Sequence, residues 1–275
     1  MKIDGWKYYS HAAITTCAPH EKPNLMPIQD RSIWKIENAK PILARWTENF
    51  DCGYETNWWY TILDKPFDIS KINSHDRNRI KKGLKNFTCK RINAGEYAEA
   101  MANVTMADWA TYPVSYRPNT TKEQLIKQYQ EWNLITYGAF DENEMLCAFH
   151  GIADCSSYFL MVQGKSIPEK QRGQVNAALI YTFINDLSAE IDNGKYISNG
   201  QRNLYHKTNF NDDLCRYYGF RKVYCRLRII YPTYVKLMVN VLYPFRKMFN
   251  LLDNKALVHQ INVVLKMEEI ARTFK

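Results

Sequence analysis

The 275-residue chain is 46% hydrophobic and 24% charged, with 19 Tyr, 12 Phe and 7 Trp, a composition that excludes disorder and fits one large domain or two small ones. Its net charge of +9 permits a polyanionic partner, whether nucleic acid, anionic lipid or a phosphate-rich cofactor. Seven cysteines without a C-x-x-C pair, an N-terminus without an unbroken apolar stretch, and no uncharged run of ~18 residues argue against an exported disulfide framework and a membrane span, so a cytoplasmic protein with reduced thiols is expected.

Three regions follow one another along the chain. Residues 1–85 open on a Pro-containing irregular stretch and continue into expected strands at 32–36, 42–46 and 58–64, then a basic helix at about 72–84. They read as an accessory, β-rich half-domain. Between residues 74 and 92, Arg77, Arg79, Lys81, Lys82, Lys85, Lys90 and Arg91 face Asp76 alone. Such a run is either a solvated helix face or a contact with RNA.

Residues 86–231 alternate more informatively. FTCKRI predicts a strand, EYAEAMANVTMADWA and KEQLIKQYQEWN two helices, and LITYGAF, MLCAFHGIAD and SSYFLMVQG three strands of an antiparallel meander. In QVNAALIYTFINDLSAEI, Val175, Leu179, Phe183 and Leu187 recur at i+4, so a long helix is expected there. A short strand (KYISNG), a helix around DDLCRYY that stops at Gly219, and a strand (RKVYCRLRIIY) complete the order β-α-α-β-β-β-α-β-α-β. Residues 232–275 predict helices, with Leu237, Val241, Phe245, Met248 and Leu252 on one face beside Lys236, Arg246 and Lys247. That pattern suits docking on the domain or lying on an anionic membrane surface, and docking is the favoured expectation.

The turn at Gln171, Arg172, Gly173, Gln174, Val175, Asn176 and Ala177 lies between a strand and a long helix, where unpaired N–H groups and the helix dipole attract an anion. With three antiparallel strands before it, and strand, helix and the junction Gly219-Phe220 after it, this arrangement resembles the GNAT (N-acetyltransferase) fold. That family carries (Gln/Arg)-x-x-Gly-x-(Gly/Ala) at the turn. Here Gly173 matches the usual Arg-Gly pair, while Val175 and Ala177 stand at the later glycines. The resemblance covers about half of the chain. It implies a mixed α/β, largely antiparallel sheet flanked by helices, with residues 171–177 binding acetyl-CoA or another acyl-CoA as acyl donor. Paired Trp58 and Trp59 followed by the basic helix with Ile80, Lys81, Lys82, Gly83 and Leu84 resemble the Fem-type peptidoglycan aminoacyltransferases. Their donor is aminoacyl-tRNA, so charged tRNA is the alternative partner. DNA is not expected.

Acyl transfer to an amine needs a base for the amine proton and an acid for the leaving group. His150, on a central strand, is the expected base, with Asp154 either orienting it or opening the next turn. The family's usual acid, a Tyr four residues before the Gly-Phe junction, falls on Cys215, which reads as a buried thiol. Tyr218 beside Tyr217 replaces it in the candidate set, provided the helix end departs from ~100° per residue. In the polar segment NGQRNLYHKTNFNDD, Arg202, His206 and Asn209 are expected to grip a small-molecule acyl acceptor, an amine of a sugar or cell-envelope precursor, or else form an ordinary loop. A catalytically silent protein of this fold that binds RNA or an anionic surface is the rival expectation.

Overall fold

The computed structural model describes residues 2–114, 117–204, 209–251 and 256–274. The chain condenses into two compact units drawn from discontinuous stretches: Met1–Tyr60, Gln201–Asn209 and Lys222–Lys275 form one, and Thr61–Gly200 with Phe210–Arg221 the other.

The first unit begins with β1 (Trp6–Tyr9) and β2 (Ala12–Thr15), an antiparallel pair joined through Ser10 and His11. Both joining residues have positive φ (45° and 64°), as a two-residue turn matching the strand twist requires. A short helix α1 (Met26–Gln29) and a 3-10 stretch Ser32–Asn38 lead to β3 (Leu43–Glu48), which pairs parallel with β2. The strand expected at 32–36 is therefore a 3-10 turn. Ile33 and Ile36, three residues apart, are both fully buried, whereas a strand would bury alternate residues. They pack with Trp6, Ala13, Ala44 and Trp46, and the two indoles meet edge to face at 6.1 Å. β4 (Trp58–Leu63) follows, with Trp58 Nε1 donating to Thr47 Oγ1 at 3.1 Å.

In the second unit, α2 (Ser74–Asn86) starts at Asn73, whose side chain accepts from the Asp76 N–H at 2.9 Å. Next come β5 (Thr88–Ile92), α3 (Ala98–Ala110) and α4 (Lys122–Gln130), the last opened by a reciprocal Thr121 and Gln124 capping box. β6 (Ile135–Phe140), β7 (Leu146–Asp154) and β8 (Phe159–Ser166) form the expected meander. α5 (Val175–Asp186) and α6 (Ser188–Asp192) replace the single long helix, and β9 (Ile197–Gln201) and α7 (Phe210–Tyr217) follow.

The strands lie in the order β5-β6-β7-β8-β9, antiparallel except for β8 with β9. Alternation along β7 divides its side chains between two layers. Phe149 packs with Met101, Leu125 and Tyr129 of α3 and α4, while Ala148 and Ile152 pack with Val175, Leu179 and Phe183 of α5. Burying each large apolar side chain of α5 contributes about 1.5–3 kcal/mol. α2 crosses the start of α5 at Gly83, where a Cβ would stand 2.5 Å from the Gln174 carbonyl oxygen, so only glycine fits.

The chain then returns to the first unit through β10 (Arg221–Ile230), which pairs antiparallel with β3. α8 (Thr233–Leu242), a 3-10 turn Tyr243–Phe245, α9 (Arg246–Leu251) and α10 (Ala256–Arg272) complete it. α8 packs through Val235 and Val239 against Leu265. The stripe expected to dock, Leu237, Val241, Phe245 and Met248, instead faces solvent, because the inward positions of α8 belong to those two valines. Leu252 and the helix break expected at Asp253 and Asn254 lie outside the described residues.

Candidate functional site

β8 and β9 pair at Phe159↔Ile197 and Leu160↔Ser198, and β8 then runs on to Ser166. A 3-10 stretch Pro168–Gly173 carries the chain from there to Gln174, whose left-handed φ of 68° redirects it into α5. The residue with positive φ is thus Gln174 rather than Gly173. Gly173 answers a different need, since a Cβ there would stand 2.9 Å from the Phe87 ring. Its carbonyl accepts from Asn86 Nδ2 at 3.2 Å.

The first N–H groups of α5 have no acceptors within their own helix, and they open beside a cleft of about 250 Å³ in the second unit. Gln171, Gln174, Asn176 and Ala177 line it; Arg172 is exposed elsewhere and Val175 is fully buried in the core. The Val175 side chain therefore leaves the cleft open, although it stands where the family pattern has a glycine. Gln171 Nε2 and Asn176 Nδ2 both donate to Ser166 Oγ at 3.3 Å, which ties the turn to the end of β8.

Arg79 of α2, Ile180 of α5, and Tyr217 and Tyr218 at the end of α7 complete the lining with Phe210 and Asp213. Arg79 Nε donates to Gln174 Oε1 at 3.2 Å, and its guanidinium lies 4.1 Å from the centre of the Tyr217 ring. Regular helix ends at Tyr217. Tyr218 N–H still donates to the Leu214 carbonyl, and Gly219 (φ 73°) then breaks the spiral as the expected left-handed cap. The α-helical bonding thus runs through Tyr218, and Tyr217 and Tyr218 both line the cleft without the distorted helix end that the sequence was expected to need. The Tyr218 hydroxyl makes no hydrogen bond among the described residues. Burial pushes its pKa well above the ordinary tyrosine value, with Arg79 opposing and Asp213 and Asp76 adding to the rise, so the group is protonated at neutral pH. Cys215 does not line the cleft and packs half-buried against the core.

His150 sits apart from these groups. Its ring lies over Gly164 and against Phe183 at 5.2 Å, between the sheet and α5. Nδ1–H donates to the Gln163 carbonyl at 2.8 Å, leaving Nε2 buried without a partner. Burial pushes its pKa down to about 4, so the imidazole is neutral at neutral pH. Asp154 does not orient it: that carboxylate is exposed, accepts from the Ser156 N–H and pairs with Lys195 at 3.5 Å, the role of a turn residue.

Arg202 and Asn209 belong to the first unit. Arg202 Nη1 donates to the Asn57 carbonyl at 3.0 Å and the guanidinium lies over Trp59, while Asn209 is exposed. His206 lies outside the described residues.

No protein-family model and no curated protein matches the chain. Among solved structures, L-PGS from Bacillus licheniformis matches at 9% identity over 97% of this chain and 85% of its own, with a TM-score of 0.50. A conserved protein of unknown function from Bacteroides thetaiotaomicron matches at 13% identity over 78% of each chain, also at 0.50. The PaiA N-acetyltransferase from Thermoplasma acidophilum, solved with coenzyme A, matches at 15% identity over 38% of this chain and 73% of that one, at 0.31. The two matches at 0.50 share this chain's fold, a mixed α/β one whose largely antiparallel sheet is flanked by helices. At such identities a likeness establishes architecture, and activity has to be argued from the site.

Within this fold, sequence reasoning missed Arg79, which reaches the turn before α5 from a helix assigned to the accessory region. The signal available was Gly83 in the same helix, a glycine in a helix interior that marks close approach of another backbone.

Proposed function

We propose that the chain is an acyltransferase that takes an acyl group from a coenzyme A thioester and passes it to an amine of a sugar or cell-envelope precursor. The observation that carries this reading is the convergence of three features on one cleft: the open start of α5, the Arg79 guanidinium and the unbonded Tyr218 hydroxyl. The N–H groups of α5 and Arg79 would hold the donor's diphosphate. As the neutral amine attacks the carbonyl carbon and the C–S bond breaks, Tyr218 would pass its proton to the departing sulfur and regain one, through water, from the nitrogen, so that the products are an amide and a neutral thiol. The raised pKa supports this role, because a hydroxyl that keeps its proton remains a donor.

The test is thermal unfolding with acetyl-CoA. At about one hundred times its Kd the ligand should stabilise the protein by about 2.7 kcal/mol. Absence of any shift removes the coenzyme A donor.

One observation favours a second reading, aminoacyl transfer from charged tRNA. Lys81, Lys82, Lys85, Lys90 and Arg91 are exposed on α2 and β5, and none of the five makes an ion pair among the described residues. Such a row suits a phosphate backbone. Binding of tRNA that falls steeply between low and moderate salt, without an acetyl-CoA shift, would establish this reading over the first.

A further inference from the structure

Along α8 and α9, Tyr234, Leu237, Met238, Val241, Phe245 and Met248 recur at steps of one to four residues along one side, each between 54% and 66% exposed. The other exposed large apolar side chains are scattered along the sequence. The stretch is also devoid of acid, for no Asp or Glu occurs in residues 214–252. Lys236 and Lys247 are exposed beside the stripe and make no ion pair among the described residues. Arg246, by contrast, turns toward α10 and pairs with Glu269 at 3.1 Å. The acids of α10 are engaged: Glu269 also binds Lys266, and Glu268 binds Arg272 and accepts from Tyr231. What the surface offers is an apolar strip with unneutralised cations and no carboxylate of its own.

We infer that this face docks on an anionic lipid bilayer, with the apolar stripe at the boundary of headgroups and acyl chains and with Lys236 and Lys247 on lipid phosphates. Charge complementarity selects this occupant. A second copy of the face would bring lysines together without an acid to receive them, and a nucleic acid would leave six apolar side chains with nothing to bury them. The segment lies along the surface rather than across it, as no helix among the described residues is long and apolar enough to span a membrane. The inference stands independently of the acyl-transfer reading.

The test is flotation of the full chain with vesicles of phosphatidylcholine, alone or with about one-third phosphatidylglycerol. The protein should float with the anionic vesicles, remain behind with the neutral ones, and be released by salt. Lys236→Gln and Lys247→Gln should each weaken binding roughly fivefold. The double variant Leu237→Asp, Phe245→Asp should abolish it with an unchanged unfolding midpoint, because both side chains are in solvent in the folded chain. Failure to float with anionic vesicles, or full binding by the double variant, overturns the inference. So does a dimer in light scattering that Leu237→Asp dissolves, which would assign the face to a second copy.

Discussion

His150 makes stability depend on pH in a way that can be worked out. In the folded chain its pKa is pushed down to about 4 from the ordinary 6.5, because burial opposes the imidazolium, and the hydrogen bond to the Gln163 carbonyl recovers only part of that. Between those values the unfolded chain binds a proton that the folded chain refuses. Stability is thus complete above the ordinary value and is lost as the pH falls toward the depressed one. At 1.36 kcal/mol per unit the full loss is about 3 kcal/mol, and about 2 kcal/mol of it should appear between about pH 7.5 and about pH 5. His150→Asn is the matched comparison, since its amide can still donate to the carbonyl but does not titrate. Urea unfolding of both proteins across this range should show the variant's curve flatter by that amount, whatever offset the smaller side chain adds at every pH. Parallel curves would refute the placement of a neutral histidine in the core. An acid limb in kcat/KM that disappears in His150→Asn would return this residue to the role of base.

Three further substitutions probe the site and its support. Tyr218→Phe should leave acetyl-CoA affinity within about twofold and lower kcat about a hundredfold, as steady-state kinetics would reveal. Arg79→Ala should weaken acetyl-CoA at least about tenfold in titration calorimetry, the worth of one hydrogen bond to a charged group. Gly83→Val should cost at least about 3 kcal/mol in urea unfolding, because its Cβ would meet the Gln174 backbone, which cannot swing aside as a side chain can.

Much of the second unit was legible because its signals are local. The strands at Ile135–Phe140, Leu146–Asp154 and Phe159–Ser166 follow from apolar β-formers bounded by turns, and α5 from its four-residue repeat. Gly219 marks the end of a helix because only glycine enters the left-handed region without strain. Ser32–Asn38 was misread since five residues fit either period, and burial at i and i+3 is a tertiary outcome.

The sequence by itself thus determined the order of elements in the second unit, the turn from which α5 starts and the cationic α2. Only the tertiary structure decided which side chains share a space. Arg79 and Tyr218 stand some 140 positions apart in the chain, and they line one cleft because Gly83 lets α2 press on the start of α5, beside the last turn of α7. The stripe of α8 and α9 likewise announces an apolar face, but whether it points inward depends on which of two apolar sides packs better. Val235 and Val239 took the inside. Periodicity records the chemistry of a face, whereas its partner is set by contacts between distant segments, which no local pattern encodes.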